Sequence, residues 1–281
     1  QNFSIASNSW GELGGTYARV IFDKGTHFLK AGVTLKYLFG VNTGFVKANN
    51  LSVQFNETNN TYTTSGSIEV GNTNSFDDVE EPFDNQGAGF GGDIGFTYEY
   101  RPANRINTSK GQNKYLYRIG FAVTDIGSMT YKDATVDTYS ANATISEDQF
   151  ENGSFDSFYT ITSTKNKVNV SLPTALRTNI DWNMSNKLFL NINSELSLVK
   201  NTNPNSNYIA NNVSVTPRFE SKWLSVYLPF SYVKYSGLQS GFGLRMGPLF
   251  VGSGSVVNGL LGKTKAIDVN FGLKIPIFQK K

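Results

Sequence analysis

Residues 266–277 read Ala266-Ile267-Asp268-Val269-Asn270-Phe271-Gly272-Leu273-Lys274-Ile275-Pro276-Ile277. Ile267, Val269, Phe271, Leu273, Ile275 and Ile277 share one parity; Asp268, Asn270, Gly272 and Lys274 share the other. Strict alternation predicts an extended strand, because successive side chains leave a sheet on opposite faces. The apolar face continues for roughly 11 residues, enough to cross a bilayer when tilted. A strand of a soluble sandwich also alternates, but its polar face meets water and is seldom rich in Gly. The pattern suits an apolar face on lipid and a small, polar face on a crowded lumen.

The same pattern recurs along the chain. At residues 16–23, Ala18, Val20 and Phe22 oppose Tyr17 and Arg19. At 27–39, Leu29, Ala31, Val33, Leu35 and Tyr37 alternate with Lys30, Gly32, Thr34 and Lys36. At 89–101, Phe90, Ile94, Phe96, Tyr98 and Tyr100 oppose Gly91, Asp93, Gly95, Glu99 and Arg101. At 114–124, Tyr117, Ile119, Phe121 and Val123 oppose Arg118, Gly120 and Ala122. Residues 173–182, 187–198, 213–220, 223–232, 238–246 and 249–254 read as further strands; 45–55 and 62–70 are more polar strands. Residues 71–88 form a long acidic loop, and 127–171 a long excursion with a short helix near 147–150. Residues 256–261 suit a helical turn.

Composition narrows the class. No run of 18 apolar residues exists, so a transmembrane helix is excluded, whereas alternating membrane strands average out as polar. The mean hydropathy of −0.29 agrees with that averaging. A net charge of +3 offers no basic tract for nucleic acid. With no Cys there is neither a disulfide framework nor a thiolate metal site.

Membrane barrels join strands by short turns on the periplasmic side and longer loops outside. Short connections at 23–26, 56–60, 183–186, 221–222 and 247–248 alternate with longer ones at 71–88, 127–171, 199–211 and 254–264. Residues 102–113 fall on the periplasmic side and 233–237 outside. This predicts an all-β fold, a transmembrane antiparallel β-barrel, with about 13 strands visible and the first and last both running toward the periplasm. Barrels of this kind have an even count. The expectation is therefore about 14 strands in a single domain over 1–281, with at least one strand preceding Gln1 and no C-terminal periplasmic domain.

Residues suited to chemistry are few. His27 is the sole histidine and has no nearby Ser or carboxylate pattern, so it reads as a solvated or interfacial side chain. The acidic run at 76–84 lacks the ordered spacing and Gly of a calcium loop and reads as a solvated outer loop. The Gly-rich run at 87–92 leads into a strand rather than a helix, the wrong context for a phosphate cradle. No catalytic, cofactor-binding or metal-binding residue is assigned. Arg19, Lys30, Lys36, Arg101, Arg118, Arg177, Arg218, Arg245 and Lys274 are expected to share the interior with Asp93, Glu99, Asp181, Glu195, Glu220 and Asp268. Mixed signs favour a lumen filled by paired charges, whereas a selective pore shows one dominant sign. Phe90, Ile94, Phe96, Ile119, Phe121, Ile267, Val269, Phe271, Leu273 and Ile275 are expected to face lipid. Trp182, Trp223, Tyr98, Tyr100, Tyr115, Tyr117, Tyr232 and Tyr235, near strand ends, suit an interfacial aromatic girdle.

Four stretches carry a resemblance: Tyr17-Ala18-Arg19-Val20; residues 28–38 (FLKAGVTLKYL); residues 118–127 (RIGFAVTDIG); and residues 247–254 (GPLFVGSG). They resemble an uncharacterised family of outer-membrane β-barrels from Bacteroidota, whose members are often followed by an OmpA-like domain that grips peptidoglycan. The resemblance implies a bacterial outer-membrane location. It implies contact with peptidoglycan only through a domain absent from these residues, and it carries over no catalytic motif. The expected function is a non-enzymatic anchor or accessory subunit of a protein-insertion, secretion or uptake complex. Its partners would be outer-membrane lipid and other outer-membrane or periplasmic proteins, with no nucleic acid and no cofactor. The alternative is a FadL-like or porin-like transporter of small or hydrophobic solutes; an outer-membrane hydrolase is a weaker third reading.

Overall fold

Alternation carries the chain into strands nearly everywhere it was predicted to. The computed structural model describes residues 1–73, 86–106, 113–153, 158–200, 205–262 and 267–275. In chain order the elements are β1 (Phe3–Asp23), β2 (His27–Asn56), β3 (Thr61–Asn72), β4 (Gly87–Tyr100), α1 (Ala103–Ile106), β5 (Tyr117–Ser140), β6 (Ala143–Ser146), α2 (Glu147–Asn152) and β7 (Thr160–Ser171). They continue with β8 (Ala175–Ser185), β9 (Leu188–Ser197), β10 (Asn212–Glu220), β11 (Leu224–Tyr227), β12 (Phe230–Val233), β13 (Gly237–Ser240), β14 (Phe242–Met246), β15 (Leu249–Ser253), α3 (Val256–Leu260) and β16 (Asn270–Leu273). The strands form one antiparallel sheet of 16. Among the described residues no helix is long and apolar enough to cross a membrane, which says nothing of crossing by strands.

The path β1-β2-β4-β5-β8-β9-β10-β11-β14-β15-β16 is antiparallel at every step, so β1 and β16 run the same way. β3 continues β4 along the same flank of β2, and β7 continues β8 along β5. The sheet bends strongly. Asn8 of β1 donates to Asn207, between β9 and β10, at 3.0 Å. β1 and β9 are five strand spacings apart, about 24 Å in a flat sheet. Trp10 of β1 likewise packs on a cluster that includes Val168 and Val170 of β7. The face carrying these contacts is therefore concave.

Several segment boundaries differ from those read in the sequence. β1 begins at Phe3 rather than near 16 and pairs with β2 almost throughout. β2 runs unbroken through 40–44, between the separate strands read at 27–39 and 45–55; one extra residue near Val41 is absorbed as a bulge. The connection at 56–60 consequently lies at the opposite end from the tight turns, not among them. The excursion at 127–171 is largely strand, extending β5 and adding β6 and β7. The strand expected over 266–277 keeps a ladder only at Asn270–Leu273; 266, 276 and 277 lie outside the described residues, as does the acidic run 76–84.

Two of the three short helices, α2 and α3, fall where expected, whereas α1 lies in the stretch after Pro102 read as a polar connection. α2 opens with a capping box: the Gln149 N–H donates to Ser146 Oγ at 3.3 Å and the Ser146 N–H to Gln149 Oε1 at 2.9 Å. α3 occupies the predicted helical turn.

Candidate functional site

Residues opposite each other in an antiparallel ladder share a face, so the register sorts the side chains. On the convex face, Ala31, Phe96 and Phe121 lie in one row. Leu29, Tyr98, Ile119, Ile180, Ile192 and Val215 form the row beside it, and Val33, Ile94, Val123 and Leu176 another. Phe90 is 74% exposed and Phe271 79%; Ile94, Phe96, Phe121, Ile267, Val269, Leu273 and Ile275 are exposed too, and Ile119 half-buried. No second sheet covers them among the described residues. Toward the tight turns this band ends in His27, Tyr100, Tyr117 and Trp182, one continuous row. His27 packs against Tyr98 and Tyr100, and Tyr117 stacks on Trp182.

The concave face carries the polar residues, in levels. The level nearest the tight turns centres on Asp181. Arg218 grips it in a two-pronged pair, Nη1 to Oδ1 at 2.7 Å and Nη2 to Oδ2 at 2.6 Å, and also bonds Glu220 at 2.8 Å. The Tyr115 hydroxyl donates to the same carboxylate. The side chains of Arg218 and Asp181 are only 12% and 7% exposed. Desolvated partners in this geometry hold each other, since removing either strands a buried charge. Beside them Arg101 bonds Glu99 at 2.7 Å, reaches Asp23 at 3.6 Å and lies over the Phe28 ring. An amide chain climbs from Asp181 through Asn191 and Asn193 to Asn179.

Above this level the walls are lined by small residues, Ala18, Gly32, Gly95, Gly120 and Ala122, and a cavity of about 550 Å³ opens. Lys30, Thr97, Asn179, Asn193 and the Arg177–Glu195 pair, 2.7 Å apart, reach into it. Over the cavity sits Lys36, with Nζ 2.6 Å from Asp125, 3.2 Å from Asp93 and 3.5 Å from Glu12. The Asp125 N–H donates to Asp93 at 2.7 Å, and the Trp10 indole to Glu12 at 3.0 Å. Asp125 has a φ of 56°, and two residues on Gly127 has 142°; this distortion turns the carboxylate onto Lys36.

The last level is apolar. Leu38, Met129, Tyr131, Val170 and Leu172 are fully buried, with Phe45, Val136 and Val168 packed among them. Close approach explains two glycines: a Cβ on Gly91 would lie 2.7 Å from Leu172 Cδ1, and one on Gly40 2.6 Å from the Tyr131 ring. Tyr131 lies beyond the convex apolar band, which gives way to Ser128 and Thr130 on β5. Burial pushes its phenol up to about 12, and the hydroxyl donates to Ser9 O at 2.7 Å.

The predicted interior charges separate into groups. Lys36 and Asp93 meet, as do Glu99, Arg101 and Arg118 (Arg118 at 3.9 Å), Arg177 and Glu195, and Asp181, Arg218 and Glu220. Arg245 bonds Ser225 Oγ at 2.7 Å and the carbonyl oxygens of Ser221 and Gly247, not an acid. Asp268 accepts from the Gly254 N–H and from Ser255 Oγ, which keeps its carboxylate at the end of β15. Lys30 and Lys274 have no acidic partner among the described residues. Two assignments are corrected. Arg19 lies opposite Ala31 in the β1–β2 register and so joins the convex apolar row, while Ala18 and Val20 face inward; the extra residue near Ile21 shifts the register. Tyr115 belongs to the Asp181 cluster and is buried, so it is no part of the aromatic girdle.

Glu12, Asp125 and the Asn179–Asn193–Asn191 chain were missed in the sequence. Only Thr124-Asp125-Ile126-Gly127, where alternation fails, hinted at one of them. Among the described residues no three His, Cys, Asp or Glu form a group able to hold a metal ion, and Lys36 is the cation bonded by Glu12, Asp93 and Asp125.

No curated protein and no solved structure matches the chain. A family is matched over most of its length, residues 1–254, including every level of the concave face. The chain belongs to the family of unknown function DUF5723.

Proposed function

We propose that this chain is a membrane-embedded β-barrel of the bacterial outer membrane with an occluded lumen, acting as a non-enzymatic anchor or accessory subunit of an envelope complex. The supporting observation is the filling of the concave face at separate levels, by the Asp181–Arg218 cluster, the Lys36 cluster and the apolar residues around Tyr131. A conducting pore needs a wetted path with one dominant sign at its narrowing; paired charges of both signs do the reverse. The exposed apolar band on the convex face supports the lipid contact, since soluble chains rarely leave such a continuous patch uncovered. The sequence resemblance adds a Bacteroidota envelope, and any peptidoglycan contact would come through an OmpA-like domain. Planar-bilayer recording of the purified chain tests the reading. No steady conductance is expected; stable ohmic current through the wild-type protein would overturn the occluded lumen.

A second reading, a carrier of small solutes, draws on the cavity of about 550 Å³ between the two charged levels. Native mass spectrometry of protein extracted in mild detergent separates the two: a stoichiometric small molecule favours the carrier, and co-purifying envelope proteins favour the anchor.

A further inference from the structure

The end of the sheet bearing the tight turns has an unusual charge distribution. Lys24 lies in the β1–β2 turn, Lys114 in the β4–β5 connection, Lys187 in the β8–β9 turn and Lys222 in the β10–β11 turn. Lys274 follows β16, its N–H donating to Pro248 O in the β14–β15 turn. Backbone hydrogen bonds tie these connections into one rim: Arg101 to Thr26, Asn183 to Leu116, Glu220 to Lys187 and Gly247 to Trp223. All five lysines are exposed, and none has an acidic partner among the described residues. The carboxylates at this end, Asp23, Glu99 and Glu220, are already taken up by arginines. The far end differs in carrying exposed carboxylates, Glu57, Glu147 and Asp148, beside its lysines: Lys47 pairs with Glu69 at 3.4 Å, while Lys132, Lys165, Lys167, Lys200 and Lys234 have no ion pair among the described residues.

The rim lysines border the apolar band. Lys222 precedes exposed Trp223, Lys187 precedes exposed Leu188, and the Lys24 N–H donates to His27 O at the edge of the aromatic row. Lys114 lies three residues before Tyr117. Flexible ammonium groups just beyond aromatic side chains sit at the depth of lipid phosphates, with their aliphatic stems along the apolar surface. We propose that this rim binds the headgroups of anionic phospholipids and so fixes which leaflet the tight turns occupy. The inference rests on the membrane-embedded reading above. Attraction of about five-fold per lysine near an anionic surface makes a rim of this kind selective without any shaped pocket. An acidic protein partner would need no apolar band beside its lysines.

The test inserts the full chain into nanodiscs of mixed phosphatidylcholine and phosphatidylglycerol and quantifies the lipids retained after partial delipidation. Phosphatidylglycerol is expected to be enriched by about ten-fold over phosphatidylcholine. A variant carrying Lys24→Gln, Lys114→Gln, Lys187→Gln, Lys222→Gln and Lys274→Gln should fall to about two-fold, and so should the unaltered protein at about 0.5 M NaCl. A far-end control, Lys132→Gln with Lys165→Gln and Lys167→Gln, should keep the full enrichment. Undiminished enrichment in the five-lysine variant, or equal loss in the control, overturns the rim. Displacement of the lipid by millimolar inorganic phosphate overturns it as well, since the ligand would then be free phosphate. Failure of the wild-type chain to enter discs of phosphatidylcholine alone overturns the membrane reading itself; entry without lipid preference overturns only the rim.

Discussion

On β2 and β5, the stretch nearest the tight turns and the stretch beyond Leu38 and Ile126 carry opposite patterns. In the first, Leu29, Val33, Ile119 and Phe121 lie on the convex face, with Lys30, Lys36 and Arg118 on the concave one. In the second, Leu38, Phe45, Met129 and Tyr131 are buried on the concave side, and Ser128 and Thr130 take the convex one. Both strands continue through the change, and the bulges at Val41 on β2 and at Asp125 on β5 shift the parity there, turning odd-numbered apolar side chains from the convex to the concave face. On the membrane reading proposed above, the first half fits an apolar medium outside and the second fits water. On the membrane reading, the switch near Ile126 marks where the bilayer stops.

The comparison breaks most readily at the charged levels. Replacing Lys36 with Met leaves Asp93, Asp125 and Glu12 crowded without a cation and should destabilise the fold by about 4 kcal/mol. Urea titration of the protein in lipid vesicles measures the loss; a change under about 1 kcal/mol would mean that the cluster is solvated rather than structural. A cation placed on each half of the convex face sharpens the contrast. Phe96→Arg should cost about 3 kcal/mol in vesicle-folded protein, whereas Thr130→Arg should be close to neutral. Equal costs would show that Ile126 marks no boundary. Within the apolar level, Leu172→Ala should cost about 2–3 kcal/mol by opening a cavity beside Gly91, read by the same titration. A local effect is expected at α2, where Ser146→Ala removes one arm of the capping box. About 1 kcal/mol of local stability should be lost there, visible as faster amide exchange over α2 with the global midpoint unmoved.

Strand identity and facing were legible wherever alternation was unbroken, as at 27–39, 89–101 and 114–124. The convex row and most of the concave charges follow from parity alone. Legibility failed where the backbone departs from a regular strand. Val41, Asp125 and Asp133 sit at bulges, two of them with positive φ, and each breaks the period of two on which the reading depends. The first part of β1, with Gly11, Gly14 and Gly15, has little alternation of its own and is held extended by its ladder to β2. One extra residue near Ile21 was enough to put Arg19 on the wrong face. The Lys36–Asp125 contact joins positions 89 apart, a distance no local pattern bridges. Asn179, Asn191 and Asn193 read as ordinary polar filler until the register set them in a line.

The length of β2 has a consequence for assembly. Its 30 residues pass through both patterns without a break and are flanked by β1 on one edge and by β4 and β3 on the other. Sliding it by two positions would preserve every parity. Such a slide would still carry Lys36 out of reach of Asp125 and push Leu38 away from its greasy neighbours, a double mismatch. β2 therefore works as a graduated ruler: with two scales marked on one rod, only one alignment satisfies both, and neighbouring hairpins can take their height from it.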